Sequence, residues 1–279
     1  MDEISDAGHS DLCVAALYKF VTFPDPTALR AELADLCIGL DLRGTLIVAG
    51  EGINGTISGT GTAITALVDA LRALPGCADM DVKYSHAKTQ PFGRMKVKLK
   101  REIVTLGMDG VDPVGNVGTY VEPRDWNALI SDPDTIVIDT RNDYEYGIGT
   151  FSGAINPETH SFREFPQWFE QARQQWEEGG KGSVKIAMFC TGGIRCEKST
   201  AMARAMGCED VYHLKGGILR YLEEVPEAES LWRGNCFVFD DRVSVTHGLA
   251  LTDDVTCQDC GRPYNRNEDH SCEANGDWH

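Results

Sequence analysis

No apolar run in this 279-residue chain approaches the roughly 18 residues that a membrane-spanning helix needs. The first eleven residues, Met1 to Asp11, are acidic and small, and so lack the cationic start of a secretory signal. Ten cysteines are too few for a disulfide scaffold. These shortages predict a soluble cytoplasmic protein whose cysteines serve thiol chemistry or metal binding rather than structural bridges. A basic excess is lacking too: 26 Lys and Arg stand against 43 Asp and Glu, a net charge of −17. That excludes a uniformly cationic nucleic-acid coat and leaves room for a local basic patch. Fixed-period repeats and low-complexity tracts are also missing.

The acidity is unevenly shared, with −2 over residues 1–105, −10 over 106–232 and −5 over 233–279. This predicts at least two units. In the first, Leu12 to Thr22 is rich in β-branched and aromatic residues and reads as a strand. Pro26 and Thr27 then open a helical face of Leu29, Leu33, Leu36, Cys37 and Leu40. Thr45–Ala49 is a short apolar strand, and Asn54–Ser58 is its hairpin partner across a glycine turn. Ile64, Leu67, Val68, Leu71 and Leu74 mark a second helix, closed by Pro75-Gly76. Strand follows through Val82 and again from Met95 to Val104. The order β-α-β-β-α-β predicts a ferredoxin-like (acylphosphatase-like) sandwich over residues 1–106. Four glycines and a proline make 107–118 a linker. In the second unit, 119–232, strands end at Asp139, Cys190 and Leu214 with helices between, which predicts a parallel α/β sheet. Ligands bind such sheets beyond the C-terminal strand ends, where Asp139 and Cys190 fall. Residues 233–279 form a cysteine-bearing extension.

The strongest chemical signal is Cys190-Thr191-Gly192-Gly193-Ile194-Arg195-Cys196. Two adjacent glycines let the backbone curl so that successive N–H groups point inward as an anion nest. A helix beginning near Glu197 adds its positive dipole end. Both favour thiolate over thiol, which makes Cys190 a candidate nucleophile. Arg195 is a candidate cation for a substrate oxyanion. A Cys-x5-Arg phosphatase loop requires arginine at position 196. Here Arg195 comes one residue early and Cys196 takes its place, which suits a thiol-centred site. Cys196 has two readings, a resolving thiol for Cys190 or a structural helix-start residue.

Asp139-Thr140-Arg141-Asn142-Asp143-Tyr144-Glu145-Tyr146, Gly149 to Asn156, and the Cys190 loop follow one another as in rhodanese-type domains, which this part of the chain resembles. With Glu51 to Thr56, Gly118 to Pro123, Ser161 to Pro166 and Cys190 to Lys198, the chain from about Asp11 to Tyr264 resembles the rhodanese-related tRNA uridine 5-hydroxylases. The resemblance implies a rhodanese-like catalytic domain at 119–232, Cys190 as the active-site cysteine, and oxygen as co-substrate. It also implies hydroxylation of the wobble uridine of tRNA at C5. A rhodanese fold alone suggests sulfur transfer through a Cys190 persulfide, the alternative activity. No flavin, haem or iron motif accompanies the loop, so no cofactor is evident. Asp139, Arg141 and Glu145 are candidates for shaping the pocket, with Arg141 read as a structural ion-pair partner rather than a catalyst.

An RNA substrate needs cations. Residues 83–101 hold Lys83, Lys88, Arg94, Lys96, Lys98, Lys100 and Arg101 with no acidic residue. Over 95–100, lysines alternate with apolar residues. A strand there places three lysines on one face and three apolar residues in the core. Tyr84, His86 and Phe92 supply rings nearby for stacking on loop bases. The competing reading is a solvated sheet edge guarded by lysines. The resemblance favours an RNA-docking face, with the first domain presenting tRNA to the second and no DNA or membrane partner.

Two further motifs need weighing. Gly50-Glu51-Gly52-Ile53-Asn54-Gly55 spells a dinucleotide fingerprint, but strand rather than helix follows it, so a hairpin is expected. Near the C-terminus, Cys257, Cys260, His270 and Cys272 have zinc-ligand character, with His279 as a substitute. A free tail is the competing reading. His160, His213 and His247 are isolated and receive no role.

Overall fold

The computed structural model describes residues 12–179, 184–239, 242–267, 270 and 272. Met1 to Asp11 and His279 lie outside them. The chain divides into two units, Met1–Val104 and Thr105–His279.

In the first unit, β1 (Leu12–Phe20), β2 (Arg43–Ala49), β3 (Gly52–Gly59), β4 (Asp81–Ala87) and β5 (Met95–Leu99) form one sheet in the order β4-β1-β3-β2-β5. Only the β2–β5 pair is parallel. Helices α1 (Pro26–Gly39) and α2 (Gly61–Arg72) cover one face. Local chemistry starts both helices: Asp25 accepts from the Ala28 N–H at 2.9 Å and Thr60 from the Ala63 N–H at 3.2 Å. Leu29, Leu33 and Cys37 of α1 and Ile64, Leu67, Val68 and Leu71 of α2 bury against Ala15, Leu17, Leu46, Val48, Ile53 and Ile57. Ala49 pairs with Gly52 across a two-residue turn, so the glycine fingerprint is a hairpin.

Three expectations for this unit need correction. The last strand ends at Leu99, not Val104. Val97 is buried, but Leu99 is 47% exposed, so the alternation does not put three apolar residues in the core. β5 is an edge strand. The basic residues are also divided. Lys83 lies on β4 at one edge of the sheet and Lys96 and Lys98 lie on β5 at the other.

In the second unit, β6 (Thr119–Val121), β7 (Thr135–Asp139), β9 (Lys185–Phe189) and β10 (Val211–Leu214) form a wholly parallel sheet in the order β6-β10-β9-β7. Between them run α3 (Pro123–Ile130), α4 (Asp143–Ile148), the short β8 (Gly149–Phe151), α5 (Phe165–Glu178) and α6 (Ile194–Ala205). Helix α7 (Gly217–Glu224) follows β10. Trp126, Phe151, Phe189, Tyr221 and Trp232 build an aromatic core, with Phe151 edge-on to Phe189, Tyr221 and Trp232 at 4.7–5.1 Å. Beyond it lie β11 (Trp232–Gly234, paired with β8), the β12–β13 pair (Cys236–Phe237, Ser244–Val245) and the β14–β15 pair (Asp254–Thr256, Pro263–Asn265).

Candidate active site

β7 and β9 are parallel neighbours, and their register pairs Asp139 with Phe189. The chain leaves both strands at the same end of the sheet, which brings Thr140 and Cys190 together there. Thr140 donates through Oγ1 to the Phe189 carbonyl at 3.0 Å and lies 3.6 Å from Cys196 Sγ.

Helix α6 begins at Ile194, earlier than the Glu197 expected from sequence. Its N-cap is Gly193, at φ +104°, a conformation that glycine tolerates and side chains do not. Arg195 and Cys196 therefore stand in the first helical turn. The Gly193 N–H donates to Cys190 Sγ at 3.1 Å. Burial alone pushes the Cys190 thiol up. The hydrogen bond from the Cys196 thiol, the Arg195 guanidinium and the N–H groups of Cys196 and Gly193 outweigh it and bring the thiol down to about 6. Cys196 is driven the other way, by burial and by its neighbour's charge. One sulfur is held as thiolate and the adjacent one as thiol. Both are buried, Cys190 at 1% exposure. Gly217 at φ +67° completes the enclosure. A Cβ there would meet the Cys190 and Thr191 carbonyl oxygens at 2.5 Å, and those carbonyls accept from the Ile218 and Leu219 N–H groups. Gly217 was missed in the sequence, where only its pairing with Gly216 at the end of a strand marks it.

The charged candidates are taken up in ion pairs, as expected for Arg141. Arg195 does not offer a free cation. Its two terminal nitrogens grip Glu145 at 2.7 and 2.8 Å, with Thr191 Oγ1 at 3.4 Å. Glu145 also accepts from the Asn142 N–H at 3.1 Å, which ties the start of α4 to the start of α6. Burial raises the Glu145 carboxyl, but the Arg195 charge and hydrogen bonds more than offset this and hold it below its ordinary value. Asp139 and Arg141 are wholly buried and do not line an open pocket. Asp139 takes the Arg141 Nε and Nη2 at 2.9 and 2.7 Å and Thr150 Oγ1 at 3.0 Å, while Arg141 also reaches the Gly149 carbonyl. They brace β7 against β8. His213 is buried beside Thr200 (3.3 Å) and Tyr120, and burial takes its imidazole down to about 4, so it stays neutral near pH 7.

A thiolate with this midpoint has a kinetic signature. Alkylation of the folded protein by iodoacetamide, followed on the Cys190 peptide, should rise through a midpoint near pH 6. A midpoint near the ordinary thiol value of 9.0 would show that the loop does not stabilise the anion.

In the first unit, the strand register decides which side chains share a face. Lys83, Lys96 and Lys98 pair opposite Ala16, Thr45 and Ile47, on the sheet face away from α1 and α2. Tyr84 and His86 pair opposite the core residues Ala15 and Cys13 and so point to the other face, which separates these rings from the lysines. Lys88, Arg94, Lys100 and Arg101 lie outside the strands and are exposed.

At the end of the second unit, the turn between β14 and β15 and the segment after it assemble Cys257, Cys260, His270 and Cys272, with their ligand atoms all within 4.8 Å of one another. Cys257 Sγ is 3.4 Å from Cys272 Sγ, and Cys260 Sγ is 3.2 Å from His270 Nε2. Three thiols and one imidazole gathered within 4.8 Å of one another are a donor set that suits a zinc ion. The Tyr264 ring stacks on His270 at 4.4 Å and orients it.

Residues 12–103 match a family model described as UPF0176 acylphosphatase like domain, and residues 122–224 match a Rhodanese-like domain. Among curated proteins, the tRNA uridine(34) hydroxylases of Brucella anthropi and Brucella ovis are 60% and 59% identical to this chain over 250 residues. In each case the match covers 90% of this chain and 80% of the relative.

Proposed function

This chain belongs to the tRNA uridine(34) hydroxylase family, and from that premise we propose that it is a cytoplasmic oxidoreductase performing oxygen-dependent 5-hydroxylation of the wobble uridine of tRNA at Cys190. The observation that carries the reading is a thiolate held by backbone N–H groups at the C-terminal end of a parallel sheet, in a chain about 60% identical to named hydroxylases across both matched domains.

The chemistry follows from the base. C5 of uracil is a weak nucleophile. Addition of the Cys190 thiolate at C6 moves the C5–C6 electron pair toward C5 and O4, leaving C5 enolate-like. C5 then takes one oxygen atom from dioxygen, and the other leaves as water with two protons and two electrons drawn from an external two-electron donor such as a cellular dithiol. Loss of the C5 proton and expulsion of the thiolate restore the ring. Gly193 N–H and Cys196 Sγ–H stabilise the sulfur anion before attack and after release. Arg195 and Glu145 position the loop rather than touch the base. Cells grown under isotopically heavy dioxygen should carry the heavy atom in 5-hydroxyuridine and its derivatives. Label acquired only from heavy water would refute the oxygen-dependent route.

Lys96 and Lys98, with Lys83 at the opposite margin of the same face, supply phosphate contacts. Lys88, Arg94, Lys100 and Arg101 extend the basic surface. Lys96→Glu with Lys98→Glu should weaken tRNA binding by at least about tenfold and flatten its salt dependence by roughly two phosphate contacts. Alkylation of Cys190 should not change. Unaltered tRNA affinity would remove the lysines from the interface.

Cys257, Cys260, His270 and Cys272 would hold a structural zinc, which ties the β14–β15 turn to His270 and Cys272 on folding. Purified protein unfolded in a zinc-sensitive dye should release about one zinc per chain, and Cys257→Ser with Cys272→Ser should release almost none. Metal-free wild type would contradict the assignment.

A further inference from the structure

Phe239 presents its ring to solvent at 62% exposure and lies against Arg195, the residue one position before Cys196 in the cysteine loop. A single exposed apolar residue is ordinary on a protein surface, but this one is built differently. The preceding residue, Val238, is buried in the aromatic core, and its N–H donates to the Val243 carbonyl at 2.9 Å, which anchors the backbone. The Phe239 ring stands edge-on to Phe237 at 5.0 Å, and Phe237 stands edge-on to Tyr144 of α4 at 5.3 Å. Three rings thus run from the helix that bears Glu145 out to the surface. The Arg195 guanidinium lies over the outermost ring, 5.9 Å from its centroid, and the same guanidinium is bonded to Glu145 and lies within 3.4 Å of Thr191 Oγ1, next to Cys190.

From this geometry we infer that Phe239 is a stacking platform for a nucleobase flanking the target uridine. The inference rests on the tRNA reading above and adds a subsite to it. A base can be modified at C5 and C6 by a buried thiolate only after leaving its stack. The neighbour it leaves loses a stacking surface, and a rigid aromatic face beside the loop replaces it without sequence preference, because every base has a π-face. Phe239 has the required attributes. It is exposed, packed edge-on against Phe237 and backed by the Arg195 cation. Tyr84 and His86 lie on the other unit and face away from its lysines. Phe239 therefore supplies a ring on the unit that carries the thiolate. It acts as a positioning residue, setting where the substrate lies without touching the reacting atoms.

The test uses the full-length protein and an anticodon stem-loop RNA with 2-aminopurine in place of the base adjoining the wobble uridine. Wild type should quench the 2-aminopurine on binding. Phe239→Ala should lose the quench and bind about tenfold more weakly. Phe239→Trp should restore both. Cys190 alkylation should be equal in all three, because the side chain is exposed and its loss leaves the loop intact. Binding and quench by Phe239→Ala equal to wild type would overturn the inference while sparing the tRNA reading. Failure of Phe239→Trp to improve on alanine, or altered Cys190 alkylation in Phe239→Ala, would also overturn it by making the role structural. A wild type that does not bind the stem-loop at all would take both readings down.

Discussion

Glu145→Ala should destabilise the protein by about 3–5 kcal/mol, because it leaves the charge of Arg195 buried without its partner. The arginine is only 7% exposed and its terminal nitrogens are committed to this carboxylate. The change should appear in urea unfolding of the wild type and variant, and as a Tm lower by roughly 10 °C. Glu145→Leu combined with Arg195→Met should recover most of the loss, because removing both charges also removes their desolvation cost. The pH dependence has a definite sign. The Glu145 carboxyl is held below its unfolded value of 4.5, so the stability it contributes is fully present above about that pH and is lost as pH falls further. A single variant within about 1 kcal/mol of wild type would show the pair to behave like a solvated surface bridge.

Much of the architecture could be read from periodicity. Leu29, Leu33 and Cys37 fall on one helical face because α1 covers a sheet on one side only. The runs at Thr135–Asp139 and Val184–Phe189 are apolar without alternation because a parallel sheet is covered on both faces. Helix α6 had no such pattern to reveal its start. Arg195 through Ala203 are all buried, and Glu197, Lys198, Ser199 and Thr200 are among them, so no polar face shows in the sequence. Leu99 misled for a different reason: alternation predicts a buried side, but at the end of an edge strand the side chain stays 47% exposed.

The site divides along similar lines. Cys190 and the paired glycines were legible because loop chemistry is local in sequence. The three cysteines and the histidine of the tail were legible as residue types, whereas their convergence was not. Long-range pairing was not legible. Glu145 and Arg195 are 50 residues apart, and nothing local to either shows that the arginine is consumed by the carboxylate and unavailable to substrate. Phe239 was invisible as well, because its significance lies in what Phe237 and Arg195 do around it.

The other large effect is expected at Cys190. Cys190→Ala removes the only thiolate in the loop, since Cys196 is held as a thiol, and leaves the fold nearly unchanged because the new side chain is smaller and apolar. The family reaction should then stop altogether, whereas a merely structural cysteine would leave a functional enzyme. Nucleosides from the tRNA of cells lacking this protein, complemented with wild type or with Cys190→Ala, measure this directly by mass spectrometry. Wild type should restore 5-hydroxyuridine and its derivatives, and Cys190→Ala, expressed to the same level, should restore none. Restoration by the alanine variant would contradict nucleophilic catalysis at Cys190.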